Sequence, residues 1–170
     1  MKLEEALERM ADVFSRRGIR FALAGGFASS AYIAPRATED IDLVFFIDNF
    51  EVVTAALRDV FPSVYVNSES MTYPLVRLKR LLGIDGEREI VIDAMDILSS
   101  EWKVEVLRRV ESLSLFRTAL PIVSREDLYL LKLGSNRPRD AADCEELAKL
   151  RGFDAVYVEK WKGNLSLIQS

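Results

Sequence analysis

Asp40 and Asp42 flank Ile41 at the head of an apolar run, Leu43-Val44-Phe45-Phe46. In an extended strand residues i and i+2 face the same side. The spacing therefore presents two carboxylates together and turns Ile41 into apolar packing. Two like charges this close repel and raise a carboxyl pKa unless a cation compensates. Divalent Mg is the natural candidate, because it takes oxygen ligands and usually binds substrate phosphates as well. Upstream, the apolar run Phe21–Ala24 ends in Gly25-Gly26. Lacking a Cβ, these glycines let the backbone turn sharply and approach a ligand closely. A helix starting there would aim its free amides outward, toward an anion such as phosphate. Taken singly, the aspartates could equally be a solvated strand edge or a helix cap, and the glycines only a tight turn.

A third carboxylate, Asp93, interrupts the apolar run Ile90-Val91-Ile92. A charge in a buried strand is costly unless it is paired or bound to metal. Asp96, its rival, lies three residues on and faces the opposite side of a regular strand, where a turn or cap role suits it better.

The elements that must position these groups follow from periodicity and punctuation. The stretch 21–48 reads as strand, glycine turn, short helix, loop, strand. Before it, Leu3, Leu7, Met10 and Phe14 recur at helical spacing, predicting a helix from Leu3 to Arg17 that stops at Gly18. After it, Asp48 is expected to cap a helix from Phe50 to Val60. A short strand is expected at Val64–Val66, then a polar loop over Asn67–Thr72. Leu75–Leu82 and Glu89–Leu98 read as two strands of a hairpin, since Asp85-Gly86 is a strong turn signal. A helix follows over Ser99–Val110, capped by Ser99 or Ser100, and an extended pair over Leu113–Val123. Ser124 and Asp127 have the form of a capping box, opening a helix that carries Lys132. Further helices are expected over Ala141–Leu150 and Asp154–Lys162.

The 170 residues suit one domain, or one domain with a small helical appendage. A net charge of −4 does not suggest sequence-independent nucleic-acid binding. The single cysteine, Cys144, forbids an internal disulfide, and with no histidine to activate it reads as an inert helix residue. The absence of histidine excludes imidazole catalysis and histidine metal sites, so Asp and Glu must do the metal and acid–base work. No apolar run is long enough to span a bilayer, and no signal peptide is visible, so a cytoplasmic location and no membrane partner are expected.

The ordered combination of Gly25-Gly26 with Asp40-Ile41-Asp42 resembles the nucleotidyltransferase superfamily, whose fold is shared with DNA polymerase beta. The phrase Arg36-Ala37-Thr38-Glu39-Asp40-Ile41-Asp42 looks like the R-x-T-x-D-I-D of AbiEii-type minimal nucleotidyltransferases. Glu126-Asp127-Leu128 through Lys132-Leu133, then Arg137 through Asp140 and Asp143, resemble the E-D-L-x-x-x-K-L and R-x-K-D-x-x-D phrases of the same group, with Arg139 where lysine is common. The second glycine, Gly26, stands where many relatives have serine. The resemblance covers roughly residues 20–150.

It implies an α/β nucleotidyltransferase fold, with a small mixed sheet flanked by helices and a short C-terminal helical part. Residues 1–123 would form the catalytic core and residues 124–170 a helical extension packed on it. The implied reaction moves a nucleoside monophosphate from an NTP to an acceptor hydroxyl. Asp40 and Asp42 would hold two Mg2+ (or Mn2+) ions. Asp93 would complete the metal site and help deprotonate the acceptor. Gly25, Gly26 and Ser29 would cradle phosphates, with Arg36 and Thr38 beside the nucleotide. Lys132 would contact the triphosphate, and Asp140 would orient basic groups at the rim. The acceptor would be tRNA or protein in a toxin–antitoxin setting. A small-molecule (antibiotic) adenylyltransferase is the alternative enzyme. A non-catalytic nucleotide-binding or antitoxin partner module is the alternative of another class.

Overall fold

A computed structural model describes residues 1–135 and 137–166 of the chain. Helix α1 (Leu3–Arg16) forms because Leu7, Met10 and Phe14 share one side, where all three are fully buried. Glu4 and Glu5 in its first turn and Arg16 in its last complement the helix dipole. The Phe14 ring meets Phe21 and Phe45 edge-on, with centroids 5.2 and 5.5 Å apart. That cluster lays α1 over strands β1 (Phe21–Leu23) and β2 (Asp40–Phe45). Between those strands runs the short helix α2 (Gly25–Tyr32).

The remaining elements are α3 (Glu51–Leu57), β3 (Ser63–Thr72), β4 (Val76–Asp85), β5 (Arg88–Ile97), α4 (Ser100–Arg108), β6 (Glu111–Leu115), β7 (Thr118–Ile122), α5 (Arg125–Ser135), α6 (Pro138–Ala148) and α7 (Ala155–Asn164). The strands form one mixed sheet in the order β3-β4-β5-β2-β1-β7-β6. The central pair β2 and β5 is parallel, β1 runs antiparallel to β2, and β1 is parallel to β7. Central strands are the most apolar, and their residues Ala22, Leu23, Ile41, Leu43, Val44 and Ile92 are fully buried on both faces of the sheet. The architecture is that expected for the nucleotidyltransferase fold.

Two local expectations are corrected. Asp48 does not cap α3. The Asn49 side chain does the equivalent work one residue later, accepting from the Glu51 amide at 2.9 Å. The polar run Asn67–Thr72 is not a loop. It continues β3 as a ten-residue outer strand, with a register shift between Val66 and Ser70. An edge strand exposed on both faces needs no apolar alternation, so its composition reads as loop. The β4–β5 hairpin matches its turn signal, since Gly86 has φ +62° and Asp85 pairs with Arg88 across a two-residue loop.

A buried polar hub ties the last helix to the sheet-flanking helices. Asp127 is fully buried, and its Oδ1 accepts from Trp102 Nε1 at 3.1 Å and from the Tyr157 hydroxyl at 2.7 Å. Its Oδ2 accepts from the Ser124 hydroxyl at 2.7 Å, while Ser124 Oγ caps the Asp127 amide at 3.1 Å. Glu126 accepts from Arg109 and from the Asp154 amide, at 2.8 and 2.9 Å. The Arg109 guanidinium also lies 3.9 Å over the Tyr157 ring. One carboxylate thus joins α4, α5 and α7. Removing it leaves the buried Trp102 and Ser124 donors and the half-buried Tyr157 hydroxyl without this acceptor, so Asp127→Ala should cost about 3 kcal/mol or more in denaturant unfolding. A loss under about 1 kcal/mol would show the hub to be dispensable.

Candidate active site

Strand register builds the site. β1 ends at Leu23 opposite Leu43, and the Ala24 amide donates to the Asp42 carbonyl at 2.9 Å. Gly25 therefore emerges beside the Asp42 side chain. On the other side, β2 and β5 pair in parallel with Asp42 directly opposite Asp93. Ile41 is fully buried, as the alternation requires. Carboxylate oxygens of Asp40, Asp42 and Asp93 all lie within 4.8 Å of one another.

Gly25 is needed here for two reasons. Its φ is +58°, and a Cβ at this position would lie 1.8 Å from Asp42 Oδ2. Gly26 is also too close for a side chain, packing against Thr38, whose Oγ1 would be 2.6 Å from an added Cβ. Thr38 Oγ1 in turn lies 3.3 Å from Asp40 Oδ1. The glycine turn and the aspartate strand thus meet without intervening side chains. Burial pushes the Asp42 carboxyl up to about 7, and the charges of Asp40 and Asp93 add to the rise. A hydrogen bond from the Gly26 amide and the charge of Lys132 offset part of it. Crowded hard oxygen donors, one of them poorly compensated, fit a divalent cation such as Mg2+ or Mn2+.

Lys132, Asp140, Asp143, Arg36 and Ser29 form a second, charge-balanced group. Lys132 is only 5% exposed, and its Nζ sits 3.0 Å from Asp140 Oδ1 and 2.7 Å from Asp143 Oδ2. Arg36 Nη1 donates to Asp143 Oδ1 at 2.6 Å. Ser29 is buried, its Oγ 3.0 Å from the Gly25 carbonyl and 3.2 Å from Asp143 Oδ2. Arg137 Nε donates to Asp140 Oδ2 at 2.8 Å, and the Ser135 hydroxyl bonds the same oxygen. Burial alone would raise both aspartates. Ser135, Lys132 and Arg137 hold Asp140 below its ordinary range, and Lys132 with Arg36 does the same for Asp143. These ties link α5 and α6 to the glycine turn.

Of the residues singled out in the sequence, Gly25, Gly26, Thr38, Asp40, Asp42 and Asp93 converge at one point. Ser29, Arg36, Lys132 and Asp140 stand around it, already engaged with protein partners. Asp96 points elsewhere, to Lys103 Nζ at 2.6 Å. Sequence reasoning missed Arg80, which donates from Nε and Nη2 to the two Asp93 oxygens, each at 2.7 Å. The signal was present. From the Asp85–Arg88 pair at the hairpin turn, five steps back along each strand lead to Arg80 and Asp93. Asp143, the last residue of the second family-like phrase, is a buried hub. Cys144 is buried, and burial pushes its thiol up to about 11, in keeping with an inert role.

The family model described as nucleotidyl transferase AbiEii toxin, type IV TA system, matches residues 6–161. The chain belongs to the AbiEii nucleotidyltransferase family. Its members are nucleotidyl-transferring enzymes of toxin–antitoxin systems, and nucleotidyl transfer is accordingly the activity of this chain. Comparison with curated proteins finds no match. Among solved structures, ANT(2")-Ia in complex with adenylyl-2"-tobramycin is similar over 94% of each chain, at 14% identity and a TM-score of 0.62. The Thermotoga maritima protein TM1012 is similar over 94% of this chain and 92% of its own, at 13% identity and a TM-score of 0.60. The lincosamide antibiotic adenylyltransferase LnuA, lincomycin-bound, is similar over 86% and 96%, at 16% identity and a TM-score of 0.56. At these identities the likeness establishes the shared fold. No helix among the described residues is long and apolar enough to cross a membrane.

The raised Asp42 carboxyl gives a signed pH dependence. Between its ordinary value of 3.8 and about 7, the folded state holds a proton that the unfolded state has lost. Stability from this group therefore falls as pH rises through that window and levels off above it. In chelator, wild type should lose on the order of 2 kcal/mol more than Asp42→Asn between pH 4.5 and pH 8. Parallel melting profiles for the two proteins would contradict the assignment.

Proposed function

We propose that the chain transfers a nucleoside monophosphate from an NTP to an acceptor hydroxyl, with Asp40, Asp42 and Asp93 as metal ligands. The observation that carries this reading is the convergence of three carboxylates within 4.8 Å beside a glycine turn that cannot hold a Cβ. Mg2+ or Mn2+ bound there would neutralise triphosphate charge and polarise the phosphorus under attack. The chain's own residues do the rest. Gly25 and Gly26 leave the backbone open for phosphate oxygens at the start of α2. Arg36 and Lys132, anchored by Asp143 and Asp140, set a positive field behind the triphosphate. Thr38 and Ser29 fix the turn against the strand. The acceptor oxygen attacks the α-phosphorus, forming a new P–O bond. The bond to the bridging oxygen breaks, and pyrophosphate departs with that electron pair. The acceptor proton passes to the carboxylate cluster.

In this reading residues 1–123 are the catalytic core. Residues 124–170 are a helical extension that lends Lys132, Asp140 and Asp143 to the site; residues 167–170 lie outside the described residues. The acceptor is tRNA or protein, in keeping with the toxin–antitoxin setting of the family. A second reading, transfer to a small antibiotic, draws on the likeness over 94% of each chain to ANT(2")-Ia, whose structure carries adenylyl-2"-tobramycin.

The test is transfer of α-labelled NTP to a pool of tRNA and cell protein with Mg2+ or Mn2+. Wild type should label one acceptor class, and Asp40→Ala should lose at least about 100-fold in rate. Label appearing only when an aminoglycoside or lincosamide is added would favour the second reading. NTP binding with metal but no labelled product under any condition would leave a non-catalytic nucleotide-binding or antitoxin partner module.

A further inference from the structure

The three carboxylates are not equally free. Asp40 has a single side-chain neighbour in hydrogen-bond range, Thr38, among the described residues. Asp42 is held by the Gly26 amide. Asp93, 4% exposed, has both oxygens engaged by Arg80 in a bidentate pair of 2.7 Å bonds. Such fork-to-fork pairing is the strong form of the arginine–carboxylate interaction. The pairing holds the Arg80 guanidinium above its ordinary value, with Asp40 adding to the effect. Arginine does not lose its proton in proteins, so its charge leaves this site only if the side chain moves.

A guanidinium and a divalent cation on the same carboxylate repel. Entry of an ion at Asp93 therefore has to displace Arg80 or pull Asp93 partly out of its grip. The surroundings allow the first. The Arg80 side chain is 44% exposed and sits on β4, one strand in from the edge of the sheet. It can swing outward without disturbing the core. Lys132, another cation near the cluster, is buried between two aspartates and has no such freedom, and Arg137, whose charge also reaches Asp40 and Asp42, is tied to Asp140 and not to the cluster.

We propose that Arg80 is a gate on the Asp93 side of the cluster, a resident counter-cation that leaves one divalent-ion position open at Asp40 and Asp42 and opens the second only when it releases Asp93. The inference rests on the metal reading above and concerns the order and strength of ion binding. Arg80 acts through Asp93 and is a positioning residue.

Mn2+ titration of the NTP-free protein, followed by the electron paramagnetic resonance signal of free Mn2+, tests it. Wild type should bind one ion well and a second at least about tenfold more weakly. Arg80→Gln should tighten the second ion by about tenfold. Arg80→Lys, a point charge without the planar fork, should fall between. In the Asp93→Asn background, Arg80→Gln should change nothing. Melting in chelator checks that each variant folds, and if Arg80→Gln does not, Arg80→Lys decides. Identical titrations for wild type and both Arg80 variants would overturn the gate while leaving the metal reading intact. Equal tightening with and without Asp93 would also overturn it, by reducing Arg80 to a general field effect. Failure of wild type and Arg80→Gln alike to bind Mn2+ would sink the metal reading, and the gate with it.

Discussion

The structure depends on the mutual repulsion of three carboxylates held at fixed positions by strand register. Asp42 stands opposite Asp93 because β2 and β5 pair in parallel, and Asp40 shares their face because strands alternate. Nothing in that backbone arrangement can relax to separate the charges. The fold instead surrounds them with partial compensation. Arg80 takes Asp93, the Gly26 amide takes part of Asp42, and Lys132 adds a field from behind. The compensation stops short at Asp42, whose carboxyl stays well above its usual range. A site left short of positive charge, open beside a glycine turn, is suited to receive a cation together with an anionic substrate.

Charge balance also explains why the C-terminal helices matter to the site. Lys132 is buried between Asp140 on α6 and Asp143 one turn later, and Asp143 also grips Arg36 and lies beside Ser29 on α2. Removing one member would leave its buried partners with weaker charge compensation. The group therefore holds α5 and α6 against the glycine turn as a unit. On the far side of α5, the Asp127 hub fastens α7 and α4. Docking of the helical extension and shape of the glycine turn are thus coupled through one helix, α5.

Local features of this arrangement were legible in the sequence. The Asp40-Ile41-Asp42 alternation, the Gly25-Gly26 turn and the Asp85-Gly86 hairpin each depend on residues close in the chain, and each reads directly. Long-range partners did not read. Helical periodicity places Asp143 on a face of α6 but cannot say that Lys132 and Arg36 will converge on it, since those contacts span 11 and 107 residues. Arg80 was within reach only by carrying the hairpin register five pairs back from its turn. The outer half of β3 was misread because an exposed edge strand obeys hydrogen bonding to its neighbour and not hydrophobic patterning. Asp48 lost its capping role to Asn49, an error of one residue between two equally good side chains.

The claim that unites these points is that Asp42 is left short of positive charge until a divalent ion arrives. Carbon-13 NMR of the aspartate side-chain carboxyls, titrated with and without Mg2+, measures it directly. In the metal-free protein one aspartate should titrate at about 7, and its signal should be missing from Asp42→Asn. On adding Mg2+ that titration should fall by about two units or more. If every aspartate titrates in the ordinary carboxylate range and Mg2+ moves none of them, the cluster is not the strained acceptor of cations described here.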